Sequence, residues 1–461
     1  MTKRFIAALL ALTITAALAG CGGSGSDSSA AETTTAAETT AAAEGADTAE
    51  TAAAEDAAAE TTAAPEETPA GTDDLKAPVA DGAIDPKEGA TENMLERSIL
   101  NKGDISRLAE KLKAAKELAA NKELKGPEKA KLSTKIAFLG DSITEGSAPK
   151  QADNHYIHQF QQWWEENFSF YAEWTNAGIG ATDSYLAVHR ADEDVLAAQP
   201  DIIFIEFIND ADNDFYKSTM DSLVRKCLAQ PNNPAVILVE MTMEDGTCPQ
   251  RVHSEIGLAY DIPIISYHDA VLPEVQAGNL NWKDISPDNI HPNDEGHIML
   301  AQMLENFVSI VAEECESAPA PTPFDRAAVE SPTGDKYADA CIAGKGSDLV
   351  TVVDEGNFTE ETQYWKMKDG WRTKNGGTAT FELEFKNLGL LYWMVTDGTG
   401  GTATISIDGE ELKDLNSDFS GGWGDYAKND ELISFDERGK HTVTVTVPEG
   451  KNFEILRFMI S

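Results

Sequence analysis

The sequence predicts an α/β fold with a parallel sheet covered by helices on both faces, followed by an antiparallel β-sandwich. Three observations carry this. Between about residues 135 and 314, short apolar runs alternate with segments of helical period. One run, 201–207 (DIIFIEF), is continuously apolar, as a central parallel strand buried on both faces must be. Beyond a Pro/Ala stretch at 317–323 the period drops to two.

Composition sets the outer limits. The chain has 461 residues and a formal net charge of -43. That length suits two folded units plus extensions. So acidic a surface repels nucleic acid and anionic headgroups, so no nucleic-acid partner is expected.

Lys3 and Arg4 precede a short apolar stretch, 5–18, too short for a spanning helix. It ends in Leu18-Ala19-Gly20-Cys21, which resembles the bacterial lipobox. The resemblance implies that residues 1–20 are a lipoprotein signal peptide and that Cys21 carries lipid. The mature chain would then be held at the cell surface, on the outer face of the cytoplasmic membrane or on an outer membrane. Residues 21–75 are Ala, Thr, Glu, Ser and Gly, with almost nothing apolar beyond alanine, and read as a disordered tether. A coil of about 50 residues spans roughly 40 Å.

Residues 76–133 form a helical extension, with Ile105, Leu108, Leu112, Ala115 and Leu118 at helical spacing inside a helix read over 92–126 and Asp104 as its N-cap. Residues 134–316 carry the α/β pattern. Strands are expected at 135–139, 170–176, 201–207, 235–240 and 263–266, and helices at 155–168, 215–228, 249–260 and 294–314. Repeated strand–helix units argue for parallel pairing. Residues 324–461 form the β-sandwich, with strands at 378–385, 390–395, 402–407, 442–447 and 453–459 and turn signals at Asp397-Gly398 and Asp408-Gly409.

The first α/β strand runs directly into Gly140-Asp141-Ser142-Ile143-Thr144-Glu145-Gly146. This places Ser142 where strand becomes helix, at the sheet edge where open α/β folds bind ligands. The block 136–146 (IAFLGDSITEG) resembles the first block of the SGNH (GDSL) hydrolases. Asn176-Ala177-Gly178-Ile179-Gly180-Ala181-Thr182 is similar to the second, Phe207-Ile208-Asn209-Asp210 to the third, and Asp288-Asn289-Ile290-His291-Pro292 to the last. The third departs in one place: Phe207 stands where the family usually has glycine, and is expected to narrow the pocket wall.

The resemblance implies a flavodoxin-like three-layer α/β/α domain and a serine esterase. Ser142 is then the nucleophile, His291 its base and Asp288 the partner that fixes the imidazole. The backbone N–H groups of Ser142 and Gly180 and the amide of Asn209 form the oxyanion hole. This chemistry requires neither metal nor organic cofactor. His155 and His158 read as cleft lining or surface, His297 as a helix residue and Asp210 as structural. Cys227, Cys248, Cys315 and Cys341 show no metal-ligand spacing, and both disulfides and buried free thiols remain open for them.

The substrate expected is an acetylated polysaccharide or oligosaccharide. The loops expected at the cleft rim are polar, the tether suits an exported enzyme, and Trp423 in a Gly-rich loop suits sugar stacking. Packing and domain docking are the other role open to the β-sandwich aromatics. The rival expectations are a lipase, a peptidoglycan O-acetyl esterase, and a non-catalytic surface carbohydrate-binding protein.

Overall fold

The computed structural model describes residues 76–461. The expected signal peptide, Cys21 and the expected tether all lie outside them. Among the described residues no helix is long and apolar enough to cross a membrane.

A six-stranded sheet forms the first part. Its strands are β1 (Ile99–Asn101), β2 (Thr134–Gly140), β3 (Ala172–Gly178), β4 (Ile202–Glu206), β5 (Ala235–Glu240) and β6 (Ile264–Ser266), in the spatial order β1-β6-β5-β4-β2-β3. The five strands β2 to β6 pair in parallel, and their order is the flavodoxin-like one. Only the edge strand β1 runs antiparallel, against β6. Alternate residues explain the unbroken apolar runs. Ile136, Phe138, Ile202 and Phe204 pack to one face, against the helices Ser106–Ala120, Tyr156–Asn167 and Asp294–Glu314. Ala137, Leu139, Ile203 and Ile205 pack to the other, against Ser184–Asp194 and Asp214–Leu228. Both faces are dry, so β4 and β5 stay apolar until their carboxyl ends, where Glu206 and Glu240 lie buried.

The expected helix over 92–126 is interrupted. Glu92–Ser98 is helical, Ile99 and Asn101 join the sheet, and a second helix starts at Ser106, whose N–H donates to Asp104 Oδ1 at 2.9 Å. The β-branched Ile99 gains a ladder beside Ile265, which a solvent-facing helical turn does not offer.

The second part is all antiparallel: β7 (Cys341–Ala343), β8 (Val350–Asp354), β9 (Trp371–Thr373), β10 (Gly377–Met394), β11 (Thr402–Ile407), β12 (Glu410–Asn416), β13 (Tyr426–Val447) and β14 (Phe453–Ile460). Its own core gathers Trp371, Phe381, Phe385, Tyr392 and Phe458. The two strands expected at 378–385 and 390–395 are one, β10, which pairs with β8 through its first half and β14 through its second. Register shifts at Phe385/Asn387 and Leu388/Gly389 break the alternation that made it read as two.

The two parts share a core. Leu391, Ala427, Leu456 and Met459 of the β-sheets pack in one cluster with Tyr185 and Leu186 of the helix Ser184–Asp194. Here β10 approaches so closely that a Cβ on Gly389 would stand 2.3 Å from the Tyr185 hydroxyl. The segment before β7 belongs to the same contact: Tyr337 is fully buried beside Tyr185, and Arg225 donates to Asp335 at 3.0 Å. Cys227, Cys248, Cys315 and Cys341 are all free thiols.

Candidate active site

Each block residue sits at the carboxyl end of a parallel strand or in the late loop. Asp141 caps the one-turn helix Ser142–Glu145, accepting from Ile143 N at 3.1 Å. Its other oxygen accepts from Asn209 N at 3.1 Å. One carboxylate thus ties the loop after β2 to the loop after β4. Burial raises the Asp141 pKa well above the ordinary value, helped by repulsion from Glu206 and opposed by those two N–H groups. Burial pushes Glu206 up to about 7, against the Thr144 hydroxyl, whose bond at 2.8 Å favours the charged form. Burial at the sheet edge thus disfavours the charged form of both acids beneath the site.

Ser142 Oγ lies 2.9 Å from His291 Nε2, and His291 Nδ1 lies 2.8 Å from Asp288 Oδ2. Asp288 Oδ1 accepts from the backbone N–H of Ile290 at 2.8 Å and of His291 at 2.7 Å. Burial acts to raise the Asp288 pKa, but the His291 ring and these N–H groups outweigh it and hold the carboxyl below its ordinary range. The loop is pinned from below: Trp282 Nε1 donates to Asp288 O at 2.7 Å. Ser286 Oγ lies within bonding distance of the carbonyls of both Asp288 and His291, at 2.8 and 2.7 Å. A serine, an imidazole and a carboxylate so aligned can move a proton from hydroxyl to ring and stabilise the imidazolium that results.

Gly180 lies beside the nucleophile; a Cβ on it would stand 3.6 Å from Ser142 Cβ. The adjoining Ala181 has φ 58°, a left-handed conformation that costs a non-glycine residue about 1–2 kcal/mol. The Gly180 N–H donates to Glu145 Oε2 at 2.7 Å, and the Asn209 amide donates to Thr182 O at 3.2 Å. The structure therefore gathers all five named site residues, with two of the three expected oxyanion donors engaged by internal acceptors.

Other expectations fall differently. Phe207 does not narrow a pocket wall. It is 1% exposed and packs in the core with Met220 and Leu223, because the chain at the end of β4 turns its side chain inward. Asp210 holds Ser184 N at 2.9 Å and His253 Nε2 at 3.0 Å. His155 is buried, with Nε2 3.1 Å from Ile143 O; His158 is half-buried beside Asp153; His297 accepts from Tyr156 N at 3.3 Å.

Three residues at the site escaped sequence reasoning. Glu145 stood inside the quoted block, one turn beyond Ser142, and that spacing was its signal. Lys366 and His253 had none. Lys366 bonds Glu145 across 221 residues, and His253 looks like any histidine of an amphipathic helix.

An open parallel sheet with a serine–histidine–aspartate line at its carboxyl edge is the architecture of a carboxylic ester hydrolase. Residues 138–298 match the GDSL-like lipase/acylhydrolase family, and the chain is an SGNH esterase with an added C-terminal β-sandwich. A crystal structure of a two-domain esterase active on acetylated mannans is 28% identical, with a TM-score of 0.70 over 80% of this chain and 98% of that one. The same kind of esterase co-crystallised with mannopentaose is 28% identical, with a TM-score of 0.68 over 80% of this chain and 97% of that one. No curated protein matches the sequence.

Proposed function

We propose that the chain is an exported, lipid-anchored esterase that removes acetyl groups from polysaccharide, mannans first among them, by a Ser142–His291–Asp288 mechanism. The observation that carries the mechanism is the pair of contacts from His291, 2.9 Å to Ser142 Oγ and 2.8 Å to Asp288 Oδ2. His291 Nε2 takes the hydroxyl proton as Ser142 Oγ attacks the ester carbonyl. The tetrahedral oxyanion turns toward the N–H groups of Ser142 and Gly180 and the Asn209 amide, each worth about 3–4 kcal/mol in the transition state. His291 returns the proton to the departing sugar oxygen, and the acetyl group remains on Ser142 Oγ as an ester. Water, deprotonated by the same ring, then attacks the acetyl carbonyl, and acetate leaves as Ser142 Oγ regains its proton from His291.

The likeness in both domains to an esterase active on acetylated mannans supports the substrate class. So does Trp365, 71% exposed, whose neighbour Lys366 bonds Glu145 beside the nucleophile. An exposed indole at that position offers a face for a sugar ring.

The test is acetate release from acetylated mannan, xylan and peptidoglycan, with Ser142→Ala as control. Release from mannan that the control lacks supports the proposal; release from peptidoglycan instead shifts the substrate to the envelope. Turnover of octanoyl esters but of no glycan makes the chain a lipase. Binding to glycans without turnover of any ester makes it a carbohydrate-binding protein. Anchoring rests on the lipobox-like Leu18–Cys21 segment, and Cys21→Ser should move the protein from the membrane fraction to the soluble one.

A further inference from the structure

Glu145 lies three residues after Ser142 on one helical turn, so the two side chains share a face. Its Oε2 accepts from Gly180 N at 2.7 Å. Its Oε1 accepts from Lys366 Nζ, which also donates to Gly178 O at 2.8 Å. A Cβ built on Gly180 would stand 2.9 Å from Glu145 Oε2 and 3.6 Å from Ser142 Cβ, so carboxylate and nucleophile crowd one small space. A resident anion thus occupies the N–H that the tetrahedral oxyanion would need. Its charge opposes the charge that develops on the acyl oxygen, the reverse of what an oxyanion hole supplies.

The Gly180 loop does not depend on Glu145 for its position. Ile179 N donates to Gly140 O at 3.1 Å, Gly178 N to Asn176 Oδ1 at 2.9 Å, and Thr182 Oγ1 to Ile179 O at 2.6 Å. The Glu145 side chain is 37% exposed, so solvent lies on one side of it. Lys366, fixed through Gly178 O, holds the second oxygen, so the carboxylate can leave Gly180 without losing its counter-ion.

We infer that Glu145 is a plug in the oxyanion hole and that Lys366, carried by the β-rich part of the chain, is the positioning residue that draws it aside when an acyl group enters. This rests on the esterase reading above. It makes the second domain part of the catalytic device: with Lys366 in place the carboxylate is shared and neutralised, and without it the carboxylate settles on Gly180.

The test is kcat/KM for p-nitrophenyl acetate in the wild type, Glu145→Gln, Lys366→Met, Lys366→Arg and the double variant E145Q/K366M, with thermal melting of each. E145Q should be about tenfold faster than wild type, the order of one hydrogen bond to a charged group. K366M should be about tenfold slower, K366R close to wild type, and the double variant close to E145Q, because Lys366 acts only through Glu145. A double variant as slow as K366M would reduce Lys366 to a domain tie and overturn the inference. So would an E145Q variant that melts normally yet is no faster than an active wild type. A wild type that hydrolyses no ester overturns the esterase reading, and the plug with it.

Discussion

Asn429 of β13 donates its side-chain amide to both carboxylate oxygens of Asp183, at 3.0 and 2.9 Å. Asp183 caps the helix that follows the Gly180 loop, holding Leu186 N at 2.9 Å, and accepts from the Tyr216 hydroxyl at 3.1 Å. One carboxylate therefore joins the second sheet to the backbone that carries an oxyanion donor. Burial and then repulsion from Asp210 push its pKa up to about 6. Asn429→Ala should cost about 1–2 kcal/mol, since it leaves that carboxylate short of a partner. Asn429→Asp should cost more, and increasingly so as pH rises, because the new group must ionise beside Asp183 and Asp430. Urea unfolding of the two variants at pH 5 and pH 8 checks this: their stabilities should draw together at pH 5. Equal stability at pH 8 would show that the Asn429 site is wetter than its contacts imply.

Gly389 marks the closest approach of the two parts. A Cβ there would meet the Tyr185 hydroxyl at 2.3 Å, Asp430 O at 3.0 Å and Tyr185 Cζ at 3.1 Å. Tyr185 cannot yield, being 1% exposed among the rings of His189, Phe215 and Tyr337. Gly389→Ala should destabilise by about 2 kcal/mol or more. Tyr185→Phe in the same chain removes the nearest clashing atom and should recover most of the loss. Failure of the second change to recover stability would locate the strain in the β10–β13 ladder instead.

His253 is 1% exposed, with Nδ1 3.2 Å from Glu240 Oε2 and Nε2 3.0 Å from Asp210 Oδ2. Two acceptors on one ring require a proton on each nitrogen. Burial acts to lower its pKa, but Glu240 and Asp210 outweigh burial and raise it to about 10. A histidine whose folded pKa exceeds its unfolded value, about 6.5, stabilises fully below that value and loses the contribution as pH rises through the folded one. His253→Gln should therefore be less stable than wild type at pH 6. Its stability should also fall less steeply between pH 6.5 and 10. An unchanged slope in chemical unfolding across that range would mean that the ring is neutral in the fold.

How far the sequence carried the fold follows from which faces are covered. The strands β2, β4 and β5 were legible because both their faces are dry. The helix Ser184–Asp194 was not: Ser184 through Ala191 are all buried, between the first sheet and the second part, so no polar stripe marks its period. The same covering hid β10. Its first half alternates with solvent, while from Leu388 to Tyr392 one face meets the sandwich core and the other the helix, and the alternation disappears. At the site, Ser142, His291 and Asp288 carry local signatures at strand ends and in one loop. Lys366 and Asn429 act across more than 200 residues, and nothing local in the sequence reports such a contact.

The contact between Asp288 and His291 fixes which ring nitrogen holds the proton. With Oδ2 accepting at 2.8 Å, Nδ1 must donate, which leaves Nε2 free to accept from Ser142 Oγ at 2.9 Å. Asp288→Asn keeps the size and the carbonyl that accepts from Ile290 N and His291 N. If that oxygen stays on the backbone, the new amide presents a donor to Nδ1. The ring then carries its proton on Nε2, where it can no longer take one from Ser142. The variant should fold, melt within a few degrees of wild type and lose about 10³ to 10⁴ in kcat. Asp288→Ala should lose a comparable factor but also melt lower, since two backbone N–H groups lose their acceptor. Rates on p-nitrophenyl acetate with melting curves for both variants make the comparison. An Asp288→Asn enzyme within tenfold of wild type would remove Asp288 from the mechanism and leave it a loop-holding residue.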